Sequence, residues 1–369
     1  MVGSGVVGAS CAYAASSLGA EVVLVDAAKP GRATAAGAGI ICPWSAQVAD
    51  PAWCALAYAA AREYPALIAG LADLGETDVG YRQVGALALA ERSDLEQIRD
   101  TLLARRAAAP EIGEVAGLSG AEAQRLFPPL RADAAAVYIG GAARVDGRKL
   151  AAALARAAVR QGAVVRDGEA RLALGRGRVA GVRLGGELIE GYAVIAATGA
   201  WTGSFLQPAG LAVPVQAQRG QIMHISLGEA DTSRWPVVLP GASGHYLVAF
   251  DDGRIVAGAT RETGSGLDYR ITPAGLAEIL EQALAVAPGL ADGTYLETRV
   301  GFRPMGPDIR PLLGPVPGLD GLVVATGLGA SGLTMGPLAG SLAAQAALDL
   351  SPAIDLEPFA PLPGPSHNG

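Results

Sequence analysis

Residues 3–8, Gly-Ser-Gly-Val-Val-Gly, lead through ASCAYAASSLGA (9–20) into the apolar run EVVLVD (21–26). The spacing is G-x-G-x-x-G, and Asp26 stands eighteen residues beyond Gly8. Glycine at positions 3, 5 and 8 permits a tight turn and lets backbone approach a pyrophosphate, which then sits on the N-terminus of the helix that follows. Asp26 at a strand end accepts hydrogen bonds from ribose hydroxyls and repels a 2′-phosphate. A glycine-rich turn with a surface aspartate is the bland alternative, and the helix, strand and acid at these spacings favour dinucleotide binding over it. Only Met1 and Val2 precede the turn, whereas a strand runs about 5–6 residues. The first strand of such a sheet is normally buried between two neighbours. A short upstream run rich in Val, Ile and Ala is therefore expected in the native protein.

The rest of the composition narrows the class. Of 369 residues, 51% are hydrophobic and 17% charged, which excludes wholesale disorder and supplies ample core. Glycine accounts for 51 positions without a three-residue period, so many tight turns are expected rather than collagen. The net charge of −7, with Lys29 and Lys149 the only lysines beside many arginines, speaks against nucleic-acid binding. Cys11, Cys42 and Cys54 form no CxxC and leave an odd count, so no disulfide framework is expected. Three histidines, including His367 in the tail, leave little material for a metal site, and none is expected. No basic n-region precedes the turn, and a cytoplasmic protein is expected, with peripheral contact at the inner membrane face left open. The uncharged stretch 321–348 exceeds the roughly 20 residues of a bilayer span. Its glycines and proline instead read as strand, glycine loop and helix.

Patterning predicts a helix over 9–18, a strand over 21–25, two alanine-rich helical stretches around 52–74, a strand over 79–91 and helices over 94–107 and 148–161. Strands follow over 163–166, 169–174, 178–184 and 192–197. From 213 to 260 the pattern is all strand, with Asp252-Gly253 as a hairpin turn. A helix over 273–287 and a strand over 294–302 precede the closing strand-loop-helix, and the proline-rich 351–369 reads as a loosely ordered tail. The interleaving predicts an α/β chain, α+β overall. A Rossmann-like dinucleotide-binding domain would be assembled from the discontinuous segments 1–78, 140–210 and 298–350. A mostly antiparallel β substrate domain with helices, 79–139 and 211–297, would be inserted into it.

Two later stretches favour FAD over NAD. Val194–Trp201 is an apolar strand ending in a small-residue turn at Thr198, Gly199 and Trp201. Gly327-Leu328-Gly329-Ala330-Ser331-Gly332-Leu333-Thr334 follows another apolar strand and opens a helix, whose dipole suits negative charge on a reduced flavin. Together GSGVVGAS, VVLVDA, GRATAAGAGI, AATGAW, RVGFRP and GLGASGLTMGP resemble the D-amino acid oxidase superfamily of FAD-dependent oxidoreductases, nearest to glycine oxidases and bacterial D-amino acid dehydrogenases. The resemblance covers nearly the whole chain in order. It implies flavin contacts at Val6, Val7, Asp26, Ala27, Ala33, Thr34, Ala38, Gly39 and Ile40, at Ala170 beside the adenine, and along Leu328–Thr334. No position calls for a covalent histidine or cysteine link, so FAD is expected to be non-covalent.

The same resemblance puts Arg303 of GFRP at the substrate-carboxylate position and Tyr246 at the active-site tyrosine. A planar guanidinium pairs bidentately with a carboxylate. His245 adjoins Tyr246 on a strand, faces the other side and is left out. Ala330 replaces an arginine of glycine oxidases, and Arg261 follows GAT where an apolar residue is usual; both argue against glycine as substrate. Cys42, Trp44 and Trp53 are read as packing residues, and Arg105-Arg106 as a solvated face. The expected activity is dehydrogenation of the Cα–N bond of a small amino or imino acid, a D-amino acid foremost. Oxygen or a quinone or other electron carrier would be the acceptor. Glycine or sarcosine oxidation, and a non-catalytic flavin-binding module, are the rivals.

Overall fold

The computed structural model describes residues 1–362 apart from Ala242; residues 363–369, with His367, lie outside the described part. Val2 occupies the centre of a mostly parallel sheet. It bridges Val25 on one side and Ala196 on the other. Val2 N donates to Ile195 O at 2.9 Å, Ala197 N to Val2 O at 2.9 Å, and Gly3 N to Val25 O at 2.8 Å. Outward from Val2, Val23–Asp26 pairs in parallel with Val164–Asp167. On the other side Val194–Ala196 pairs in parallel with Leu322–Thr326, whose far edge takes Leu312–Pro315 antiparallel.

Alternation along these strands separates two cores, as a two-residue period requires. Leu24, Ile195, Val323 and Ala325 face the helices Val6–Ser17, Gly147–Arg160 and Gly332–Ala347. Val2, Val25, Val194, Ala196 and Val324 face the three-stranded meander Ala170–Leu174, Val179–Leu184 and Glu187–Glu190. The helices approach closely because their contact positions lack side chains. A Cβ on Gly336 would stand 2.8 Å from Val6 Cγ1, and one on Gly340 2.6 Å from Val7 O.

The second sheet has nine strands, mostly antiparallel, and draws on both 86–139 and 216–305. Its long strand Gln216–Ser226, one in from the edge, pairs with Arg254–Gly258 and Glu262–Thr263 on one side and with the edge strand Thr294–Met305 on the other. The helix Pro273–Val286 covers it through Ile279 and Ala283. Thr294–Met305 crosses position 298 as one continuous strand.

Several elements differ from expectation. The stretches around 52–74 form one helix, Pro51–Asp73, with Pro65 inside it. Its buried positions Trp53, Leu56, Ala57, Ala60, Ala61, Tyr64 and Leu71 recur every three or four residues, and that burial outweighs the bond proline removes. The strand over 79–91 is two strands, Arg82–Gln83 and Ala86–Leu89, because Gly85 lies between them at φ +78° against the Tyr138 ring. The strands Val115–Leu118 and Ala136–Ile139 and the helix Gly120–Leu126, capped reciprocally by Ser119 and Glu122, were not expected. The tail is packed as far as it is described: Phe359, 2% exposed, sits in the helix-side core.

Within the described residues, no helix is long and apolar enough to cross a membrane. Gly340→Val should lower stability by about 1–3 kcal/mol, since the added carbons meet backbone rather than a movable side chain. The urea midpoint measures it, and an unchanged midpoint would mean that the two helices are not held by this contact.

Candidate active site

The first glycine turn is shaped by contacts that exclude side chains. A Cβ on Gly8 would overlap Gly3 O, and Gly3, at φ +98°, lies against the Ala197 carbonyl. The helix that follows has no side-chain cap and no acid in its first turn. Its leading N–H groups therefore stay available to an anion, apart from Val6 N, which donates to Thr34 Oγ1 at 3.0 Å. Asp26 accepts from Ser4 N at 2.5 Å and Ala28 N at 2.6 Å, and Arg32 Nη1 lies 3.2 Å from it.

The segment Ala33–Ala36 and the bend through Gly39 fold over this turn. Gly39, at φ +85°, has no room for a Cβ beside Val145 O, and its own carbonyl accepts from Val145 N at 2.8 Å. The last glycine loop closes the other flank. Thr334 Oγ1 donates to Ile40 O at 3.0 Å, and the buried Tyr64 hydroxyl donates to Leu333 O. Thr326 Oγ1 donates to Gly199 O at 3.1 Å, tying the AATGAW turn to the same wall.

Between these loops runs one cavity of about 740 Å³ that takes in both Asp26 and Arg303, at the upper part of the roughly 300–1,000 Å³ range of small-molecule sites. Its size, uncapped helix start and ribose-competent carboxylate fit an elongated dinucleotide such as FAD. Most expected cofactor residues line it: Gly3 and Gly5 with Val6 and Val7, Asp26 with Ala27, Ala33 with Thr34, and Ala38 to Ile40. So do Ala170, Thr198, Gly199 and Trp201, and Leu328, Gly329, Ala330, Gly332 and Leu333. Gly8, Gly327, Ser331 and Thr334 do not line it; they shape the turns behind it.

Arg303 and Tyr246 reach the same cavity from the second sheet. Arg303 pairs with Gln218 of the strand Gln216–Ser226, and its guanidinium lies over Gly220, where a Cβ would be 2.7 Å from Nη1. Nη1 donates to Thr260 O at 2.9 Å and to Gln218 Oε1 at 3.3 Å. Among the described residues no carboxylate pairs with Arg303. Tyr246 pairs with Gly258, whose missing Cβ would stand 3.1 Å from the phenol oxygen. Burial pulls the Arg303 guanidinium below its usual range, with Tyr246 opposing and Arg261 adding to the shift. Burial likewise pushes the Tyr246 phenol up, against the pull of Arg303 and Arg261, which keeps it a neutral donor.

His245 does not line the cavity; its Nδ1 is 3.1 Å from Ser243 O and its Nε2 3.3 Å from Glu278. Cys42, Trp44 and Trp53 are buried in the helix-side core, and burial pushes the Cys42 thiol up to about 11. Arg105 is not a solvated-face residue: it donates to the Trp44 and Ala46 carbonyls. Sequence reasoning missed Gly220, Gly258 and Phe302 as parts of the site. Phe302 is 1% exposed, meets Trp201 edge-on at 5.9 Å and donates its N–H to Gly31 O at 2.9 Å. Glycines interrupting the apolar runs QRGQIMHI and RIVAGAT were the available pointers.

Residues 1–346 match the family described as FAD dependent oxidoreductase (DAO). The chain is 46% identical over 363 residues to the oxidoreductase YurR of Bacillus subtilis, covering 98% of this chain and 97% of that one. It is 35% identical over 375 residues to a glycine oxidase of Pseudomonas aeruginosa, with 98% and 97% covered. Among solved structures, the iminodiacetate oxidase IdaA of Chelativorans sp. BNC1 superposes with a TM-score of 0.95 at 48% identity, covering 98% of each chain.

Asp26→Ala should lower FAD affinity about tenfold or more, since it deletes a charged acceptor on the first turn. Flavin fluorescence during titration of the apoprotein measures it; unchanged affinity would remove Asp26 from the cofactor site.

Proposed function

The chain belongs to the DAO family of FAD-dependent oxidoreductases acting on amino donors, and from that premise we propose that it dehydrogenates the Cα–N bond of a small amino or imino acid. The observation that carries this reading is Arg303, a guanidinium without a carboxylate partner among the described residues, laid over Gly220 beside Tyr246 in the cavity that fits the cofactor. The relatives named glycine oxidase and iminodiacetate oxidase support a small substrate carrying both a carboxylate and an amine.

FAD held non-covalently between the three glycine loops supplies a two-electron acceptor for the hydride leaving Cα. Arg303 binds the substrate carboxylate through N–H groups other than those committed to Thr260 and Gln218 and fixes which face of Cα is presented. Tyr246 donates its phenol proton as a hydrogen bond to the same carboxylate. Among the described residues the acids lining the cavity, Asp26 and Glu169, are paired with Arg32 and Lys29 and leave no free carboxylate base there. The amine must then react in its neutral form, its N–H proton passing to water as the imine forms. Water adds to the imine, and the C–N bond breaks to give a 2-oxo acid and ammonia, or a primary amine where the substrate amine is secondary. In this reading 1–78, 140–210 and 298–350 serve the cofactor and 79–139 and 211–297 the substrate, with Thr294–Met305 shared between them.

Anaerobic mixing with amino and imino acids tests the activity: bleaching of the flavin supports it, and a flavin left oxidised by D-amino acids, glycine, sarcosine and iminodiacetate alike overturns it. Arg303→Leu should cost on the order of 100-fold in kcat/KM, about 3 kcal/mol, with FAD still bound. Activity on carboxylate substrates surviving within about threefold would show another anchor. Gly220→Ala should act in the same direction by displacing the guanidinium, with stopped-flow flavin reduction as the readout; unchanged reduction would mean that Arg303 has room to adjust.

A further inference from the structure

Arg261 is a second guanidinium beside Arg303 in the cavity, and its charge acts on Arg303. It follows Thr260, whose carbonyl accepts from Arg303 Nη1 at 2.9 Å, so the chain delivers a second guanidinium one residue beyond the group that holds the first. Both arginines line the same space. The Arg261 side chain is exposed, and its hydrogen bond is Nη2 to Gly244 O at 2.6 Å. Gly244 provides the seat: at φ +64°, a Cβ there would meet Arg261 Nη1 at 3.0 Å.

Nearby acids are committed elsewhere. Glu262 accepts from Arg219, from Gln221 Nε2 at 2.7 Å and from Thr260 Oγ1 at 2.8 Å. Asp268 serves Arg219 and Arg270, and Glu278 stands at His245. Among the described residues, neither Arg261 nor Arg303 has a carboxylate partner, in a chain that carries more acids than bases. Two unneutralised guanidiniums sharing a partly desolvated cavity repel each other, and a single carboxylate on Arg303 leaves one of them uncompensated. A ligand with two negative groups balances both.

We propose that Arg261 reads a second carboxylate, so that the preferred substrate is a dicarboxylic amine rather than a monocarboxylic one. The proposal rests on the amine-oxidising reading of the site and sharpens it. The first carboxylate lies on Arg303 beside the reacting Cα, and the second points along the cavity to the exposed guanidinium. The second acid belongs either to the other arm of a secondary amine, as in iminodiacetate, or to a side chain, as in aspartate. The bond chemistry is that of the proposed reaction, with the second carboxylate unchanged.

The test compares substrates differing by that one group: iminodiacetate against sarcosine, and each enantiomer of aspartate against the matching alanine. In the holoenzyme kcat/KM should favour the dicarboxylate of at least one pair by about tenfold or more, and which pair identifies the arm. In Arg261→Leu that ratio should fall at least about tenfold, with Arg261→Lys intermediate. Equal efficiencies in every pair, or a ratio kept within threefold in Arg261→Leu, overturn the assignment. Binding gives a readout independent of turnover. Glutarate, the carbon isostere of iminodiacetate, should perturb the flavin spectrum at lower concentration than butyrate in the native enzyme, and lose that advantage in Arg261→Leu. If no amine bleaches the flavin, the oxidation reading falls, while the glutarate comparison still decides whether Arg261 binds a second carboxylate.

Discussion

The close passage of the first glycine turn through the middle of the molecule sets everything else. Gly3 lies against the Ala197 carbonyl, and Gly8 leaves no space for a Cβ beside Gly3 O. On the far side of the same helix, Gly336 and Gly340 bring Gly332–Ala347 against Val6 and Val7. Close packing of this kind tolerates no added methyl group without displacement of backbone. Three chain segments far apart in sequence therefore converge, and the N–H groups of an uncapped helix point into the space between them. Dispersion and apolar burial fix the frame; the cavity is what the frame leaves open.

The second sheet solves a different problem, which is to carry a charge to that cavity without a counter-charge. Arg303 extends across the adjacent strand Gln216–Ser226 over Gly220, and Tyr246 stands against Gly258 of the strand it pairs with. The guanidinium is held in place by a backbone carbonyl and an amide oxygen. Neutral acceptors of this kind orient an arginine and leave its charge for a ligand, whereas a carboxylate would neutralise it. Two other arginines of this sheet with little exposed side chain do face acids: Arg219 pairs with Glu262 and Asp268, and Arg254 with Asp146.

Local chemistry made much of this legible in the sequence. G-x-G-x-x-G, a helix and Asp26 are contiguous, so turn, helix and carboxylate follow from neighbouring residues. The last glycine loop reads in the same way, and its strand and helix, Leu322–Thr326 and Gly332–Ala347, form where patterning puts them. Asp252-Gly253 turns the hairpin between Tyr246–Ala249 and Arg254–Gly258, with Gly253 at φ +69°. The stretch 52–74 is one helix rather than two because its buried apolar face keeps Pro51–Asp73 continuous through Pro65, and local propensity does not count that burial. Phe359 misled in the opposite sense, a lone aromatic in a proline-rich stretch that gains its burial from distant segments.

By itself the sequence determined the dinucleotide turn, the alternation of βαβ and hairpin material, and the kind of residues able to hold a carboxylate, because each depends on spacing within a few turns or strands. Tertiary structure alone decided that Gly220 and Gly258 make room for Arg303 and Tyr246, and that Thr260 rather than an acid holds the guanidinium. It also decided that Arg261 opens onto the same cavity. Those relations join strands through lateral hydrogen bonding at sequence separations of tens of residues. No local pattern encodes which residue lies opposite which, since register is fixed only when both strands bury their faces against the same core.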